Sequence, residues 1–202
     1  LRRTILGLAL LTIVVASAPA CGDTAAPDRL TPRALGAEDA PVTMVEYSSL
    51  TCPHCATFHR ETLPKIKETY IDTGKVRLVF SDFPLDSLAM AGSMLARCMK
   101  PERDFGFLES LFRTQATWAR SPQPQVELQR LARFAGMGES EFEACIRDRD
   151  LLRSIQARAA EAGRDHDIRR TPSFVINGEK IEGARSFEEF SEVIDNALAE
   201  AG

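Results

Sequence analysis

The stretch "VTMVEYSSLTCPHCATFHRETLPKIKETYIDTGKVRLVFS", residues 42–81, constrains this chain more than any other. Its first part, Val42 to Ser49, carries Val, Thr and Tyr at the length of a buried central strand. Cys52 and Cys55 follow, with Pro53 and His54 between them. Pro53 suits the first turn of a helix, where its missing amide costs nothing. The pattern predicts a helix to about Asp72, ahead of Gly74, kinked at Pro64, which lacks an amide and crowds the preceding turn. Val76 to Ser81 reads as a second strand. Strand, helix and strand of these lengths make a βαβ unit, which closes with a right-handed crossover.

Residues 86–165 read as helical throughout. Ala91, Met94, Leu95 and Cys98 share one helix face; Phe105, Leu108, Leu111 and Phe112 share another; Leu128, Leu131, Ala132 and Ala135 share a third. Ser140 to Glu143 has the spacing of a capping box, with Phe142, Cys145 and Ile146 behind it. Leu151, Leu152, Ile155, Ala159 and Ala162 mark a fifth helix, expected to stop at Gly163. Strands then return in "TPSFVING", ending in an Asn-Gly turn with "EKIEG" as hairpin partner. A second capping box, Ser186 and Glu189, opens a closing helix lined by Phe187, Phe190, Ile194, Ala197 and Leu198. The fold class is therefore α/β. A first half over residues 41–85 and a second over 166–202 flank a helical domain at 86–165.

The N-terminal residues have a different character. Arg2 and Arg3 precede an apolar run from Ile5 to Val15, and Ala16 to Ala20 are small residues or proline. Residues 1–20 are thus expected to be an export signal peptide, the run being short of the ~20 apolar residues a membrane anchor needs. Cleavage after Ala20 leaves Cys21 first, either as the site of a lipid anchor or as the chance product of ordinary cleavage. Residues 21–40, rich in Pro, Ala, Asp and Thr, are expected to form a flexible linker. With 44% hydrophobic and 27% charged residues, the chain can build a core without disulfides. A net charge of −4 leaves no basic footprint for nucleic acid.

A cysteine at a helix start meets backbone amides that have no partner, and they stabilise its thiolate together with the helix dipole. Cys52 holds that position, Cys55 lies one turn inside, and a protonated His54 would add to the effect. Cys52 is then the sulfur open to attack and Cys55 the resolving one. Stabilising the Cys52 thiolate favours the reduced dithiol, so the disulfide is readily passed on. Two other readings stand beside this one. Zinc wants four ligands, and here a metal would have Cys52, Cys55 and at most His59. A structural disulfide closing so short a loop adds little stability. No metal and no cofactor is called for.

The segments "EYSSLTCPHC" and "RRTPSFVING" resemble the DsbA family of thioredoxin-fold thiol–disulfide oxidoreductases. The resemblance covers residues from Pro41 onward and implies a thioredoxin fold with a helical domain inserted into its core. Pro53-His54 matches the dipeptide typical of the family. Glu46, six before Cys52, falls where the family has a buried acid beneath the resolving cysteine, and would relay a proton to Cys55. The other reading is a glutamate on the polar side of an edge strand. Thr171-Pro172 falls at the loop whose cis-proline faces the disulfide; an ordinary trans proline at a strand start is the alternative. Arg170 stands where Gly is frequent, and with Arg169 it adds positive charge near the substrate groove or plain surface charge. The family implies reduced or unfolded exported proteins as substrates, a membrane oxidase that reoxidises the chain, a periplasmic location and a monomer. Isomerase or reductase activity on the same fold is the competing reading, and a metal carrier a third. Cys98 and Cys145 either pair, as in some DsbA-like proteins, or sit as separate buried thiols. Pairing would leave Cys21 as the odd cysteine.

Overall fold

The computed structural model describes residues 29–202. Its sheet has five strands in the order β1-β3-β2-β4-β5. They are β1 (Arg33–Leu35), β2 (Val42–Ser48), β3 (Val76–Asp82), β4 (Ser173–Ile176) and β5 (Glu179–Glu182). β2 lies in the middle, parallel to β3 and antiparallel to β4, so Glu46 sits between Phe80 and Phe174. Alternation puts Val42, Met44, Val76, Leu78, Phe174 and Ile176 into one core with Phe58, Ile66, Phe190 and Ile194 from the helices. The β4–β5 hairpin turns at Asn177 and Gly178, with φ of 44° and 97°, the left-handed pair that a tight hairpin needs.

The helix after Cys52 runs over residues 53–71 but is not uniform. α1 (Pro53–Thr57) and α2 (Leu63–Ile66) alternate with π-turns at Phe58–Thr62 and Lys67–Ile71. The Leu63 amide donates to the carbonyl of Phe58, one residue further back than in an α-helix. The widened turn ends two residues before Pro64, which has no amide to give.

The segment expected to be a flexible linker is in part a strand. β1 pairs antiparallel with the outer edge of β3, Arg33 opposite Phe80. Three residues are too few to show a period, so composition concealed it. Ion pairs hold β1 in place. Arg33 is buried, its Nε 3.2 Å from Asp104 and its Nη1 3.9 Å from Asp82. Burial lowers the Arg33 guanidinium to about 10, against the attraction of Asp82. Arg97 donates from Nε to Asp82 at 2.7 Å and from Nη1 to the carbonyls of Arg29 and Thr31 at 3.3 and 3.0 Å.

The insertion is built from α3 (Ser87–Cys98), α4 (Pro101–Arg113), α5 (Gln115–Trp118), α6 (Pro124–Phe134), α7 (Glu139–Ile146) and α8 (Arg149–Asp165), and α9 (Phe187–Ala201) closes the fold. Cys98 and Cys145 form a disulfide that ties α3 to α7. α7 starts two residues earlier than the Ser140–Glu143 box implies. Gly138 is its N-cap, and Glu141 accepts from the Gly138 amide at 2.8 Å. Glu143 instead accepts from Arg147. Nor does Gly163 stop α8, which reaches Asp165; Asp167 takes the left-handed conformation, with φ 50°. Aspartate is among the few residues that tolerate it. The Ser186–Glu189 box does open α9, each residue bonding the other's amide, at 3.0 and 3.2 Å. Leu50, Cys52, Cys55, Ala56 and Phe80 belong to the insertion's core cluster, with Leu95, Leu108, Phe112 and Trp118. The two cysteines therefore lie at the seam between sheet and insertion.

Candidate active site

Cys52 is the N-cap of α1, in extended conformation with φ −75° and ψ 119°. Pro53 and His54 are exposed, Cys52 is 7% exposed and Cys55 fully buried; both cysteines are free thiols. The Cys52 thiol is lowered from 9.0 to about 5. The hydrogen bond from the Cys55 thiol is the main cause; burial opposes it, and the Thr171 side chain and the amides of Cys55 and His54 reinforce it. His54 thus acts on the sulfur through its backbone amide, its imidazole being exposed. Burial pushes the Cys55 thiol far above its usual range, and its neighbour Cys52 pushes it further. The pair is asymmetric as its sequence positions imply.

The pH dependence follows. The folded value of Cys52 lies below its unfolded value, so the reduced fold gains stability that is fully present above 9.0 and is lost as pH falls through about 5. Ultraviolet thiolate absorbance of reduced protein is expected to titrate with a midpoint at about 5. The advantage in melting temperature of reduced over oxidised protein is expected to shrink across the same window. A midpoint near that of an ordinary thiol would contradict the geometry.

Thr171-Pro172 is a cis peptide, and the Thr171 carbonyl accepts from the Cys52 thiol at 3.3 Å across 119 residues of sequence. Glu46 is fully buried in the central part of the sheet, which removes the edge-strand reading. Both its oxygens lie against Nε2 of His59, at 3.0 and 3.1 Å. The His59 ring stacks on Phe112 of α4, centroids 3.9 Å apart, and its Nδ1 is buried without a partner. The Glu46 charge also adds to the upward push on Cys55. His59 is thus engaged with Glu46. Among the described residues no group of three or more His, Cys, Asp or Glu is placed to hold a metal ion.

Arg169 and Arg170 are exposed and pair with Asp167 and Glu182, at 2.6 and 3.3 Å, as surface charges do. Cys98–Cys145 belongs to the insertion, and Cys21 lies outside the described residues. Sequence reasoning missed Gln115 altogether. From α5 its Nε2 donates to the carbonyls of Leu50 and Cys52, at 2.8 and 2.9 Å. No local pattern marks a glutamine more than 60 residues away. A hollow of about 320 Å³ beside the cysteines is lined by Thr51, Pro53, Asp86, Ser87 and Gln115, among others. Asp86 and Ser87 also border a larger one of about 590 Å³ that holds Leu85, Met90 and Leu152.

A Cys-X-X-Cys at a helix start, facing a cis-proline loop across a mixed sheet, defines a dithiol protein of the thioredoxin fold. Comparison with known proteins agrees. The family described as "Thioredoxin" matches residues 28–196. A putative protein-disulfide oxidoreductase of Rickettsia bellii is 31% identical over 168 residues, 83% of this chain and 64% of that protein. The chain thus spans less than two thirds of that relative's length, and 60% of its Rickettsia conorii counterpart. Among solved structures, alpha-DsbA1 of Wolbachia pipientis is 34% identical with a TM-score of 0.79, covering 85% of this chain and 93% of its own. BdbD of Bacillus subtilis is 25% identical with a TM-score of 0.74, covering 83% and 93%. The chain belongs to the thioredoxin family, in its DsbA-like branch with the helical insertion.

Proposed function

We propose that this protein is an exported thiol–disulfide oxidoreductase that donates the Cys52–Cys55 disulfide to folding secreted proteins. The observation that carries the reading is the asymmetry of the pair: a Cys52 thiol lowered to about 5 beside a fully buried Cys55. A thiolate so stabilised makes the reduced protein the favoured product and the disulfide a strong oxidant.

In the forward reaction a substrate thiolate attacks Cys52 Sγ and the Cys52–Cys55 bond breaks. Cys55 leaves as a thiolate and takes up a proton, which the Glu46 carboxyl relays to it; His59 holds that carboxyl in place. A second substrate thiolate attacks the substrate sulfur of the mixed disulfide, and Cys52 leaves as its stabilised thiolate. The substrate dithiol loses two electrons and two protons; the protein gains both electrons and, on Cys55, one proton, while the other proton goes to solvent because Cys52 stays a thiolate. The Thr171 backbone, beside Cys52, pairs with an extended substrate segment in the manner of an added strand. A membrane oxidase restores the disulfide. Export rests on residues 1–20, and lipid attachment at Cys21 rests on its being left over once Cys98 and Cys145 have paired.

Two measurements test the reading. The protein is expected to reoxidise reduced ribonuclease much faster than it unscrambles mispaired ribonuclease. Its Cys52–Cys55 potential is expected nearer to about −120 mV than to about −270 mV. Efficient unscrambling with poor oxidation would assign an isomerase instead. Stoichiometric metal in anaerobically purified reduced protein, lost in Cys52→Ser, would assign a metal carrier.

A further inference from the structure

The turn that delivers Cys52 to the helix start is not held by the sheet alone. Pro53 has no amide, so the first amides able to face the Cys52 sulfur belong to His54 and Cys55. Their aim depends on the backbone from Leu50 to Cys52. Two side chains from the insertion grip that backbone. Gln115 donates from one nitrogen to the carbonyls on either side of Thr51, those of Leu50 and Cys52, at 2.8 and 2.9 Å. Thr51 donates its hydroxyl to Asp86, the N-cap of α3, at 2.6 Å. Leu50 is itself pressed against α3, where a Cβ on Gly92 would come within 2.8 Å of its Cδ1.

Gln115 is the buried member of this grip, 7% exposed, and α5 is anchored behind it by Trp118, whose Nε1 donates to the Leu111 carbonyl at 2.8 Å. The Cys52 carbonyl already accepts the first helical hydrogen bond, from Ala56 at 3.2 Å. The Gln115 N–H is thus a second donor on that oxygen. A donor there draws negative charge from the peptide beside the sulfur and keeps its plane from rotating.

We propose that Gln115 is a positioning residue for Cys52: through the Leu50 and Cys52 carbonyls it lets the helical insertion set how strongly the start of α1 stabilises the thiolate. This rests on the reading of Cys52 as the exchanging sulfur. It makes the insertion a regulator of the thiol's reactivity as well as a cover for the site.

The test uses Gln115→Met, which keeps length and apolar packing and removes both donors, and Gln115→Glu, which keeps shape and sets an acceptor against the two carbonyls. In both, the Cys52 thiolate midpoint is expected to rise, the acid constant falling by about three- to tenfold, the worth of one net hydrogen bond. The equilibrium with glutathione is expected to shift toward the disulfide by a similar factor. A lower melting temperature with midpoint and equilibrium unchanged would reduce Gln115 to a packing residue and overturn the proposal. Should neither variant fold, the wild-type protein still decides. The side-chain amide resonances of Gln115 are expected to shift with the Cys52 titration, and their indifference to it would equally overturn the proposal. These readouts follow the thiol itself, so they stand apart from the ribonuclease assay that tests the oxidoreductase reading.

Discussion

Cys55→Ala is expected to capture a disulfide-bonded substrate as a long-lived mixed disulfide at Cys52, formed when the Cys52 thiolate attacks the substrate disulfide and displaces one of its thiolates, visible on a non-reducing gel and by mass. Among the described residues the resolving sulfur is the one group positioned to break that bond from within the protein, because Cys55 lies one turn behind Cys52 and hydrogen-bonds to it. Cys52→Ala is expected to do the opposite. No adduct forms, and oxidation of reduced ribonuclease falls to the uncatalysed rate, since the buried Cys55 offers substrate no access. The loss should be complete in both cases, because each sulfur performs a step that nothing else performs. A Cys55→Ala protein that cycles normally, or an adduct that forms on Cys55 in Cys52→Ala, would reverse the assigned roles.

The second large effect concerns stability. Arg97→Met is expected to cost about 3–5 kcal/mol, because it strands the Asp82 carboxylate in a buried site. Asp82 has one oxygen on the Arg97 Nε at 2.7 Å, and its other oxygen has no partner. Arg33, 3.9 Å away, is too distant to take over as a hydrogen-bond donor. The same variant frees the carbonyls of Arg29 and Thr31, which loosens β1 at the sheet edge. For a domain of this size the melting temperature should fall by about 6–20 °C. Adding Asp82→Leu is expected to restore part of the loss by removing the stranded charge, with Arg33 keeping Asp104. A double variant less stable than Arg97→Met alone would show that the burial of Asp82 is not the cause.

The elements most legible from sequence are those made by neighbours in the chain. The Asn177-Gly178 turn, the Ser186–Glu189 box and the helix opened by Pro53 all appear as read, because each is decided within about five residues. Misreadings arose where two local signals competed. Glu141 and Glu143 both stand three residues after a plausible cap, and only the helix start at Glu139 chooses between them. Gly163 offered a stop that α8 did not use, because Asp167 made the turn. β1 was hidden by a composition that reads as linker, since its three residues owe their conformation to β3.

The chemistry divides along the same line. From the sequence alone came the reactive pair and its polarity, because a thiol at a helix start and another one turn later differ for local electrostatic reasons. Tertiary structure decided what surrounds them. Thr171 meets Cys52 over a separation of 119 residues, Gln115 reaches the Cys52 carbonyl over 63, and Glu46 finds its partner in His59, 13 residues on. The physical reason is that these contacts depend on strand register and on how the insertion packs over the sheet. A side chain's type states what it can bond; only the assembled core states which carbonyl, ring or carboxylate lies within 3 Å of it.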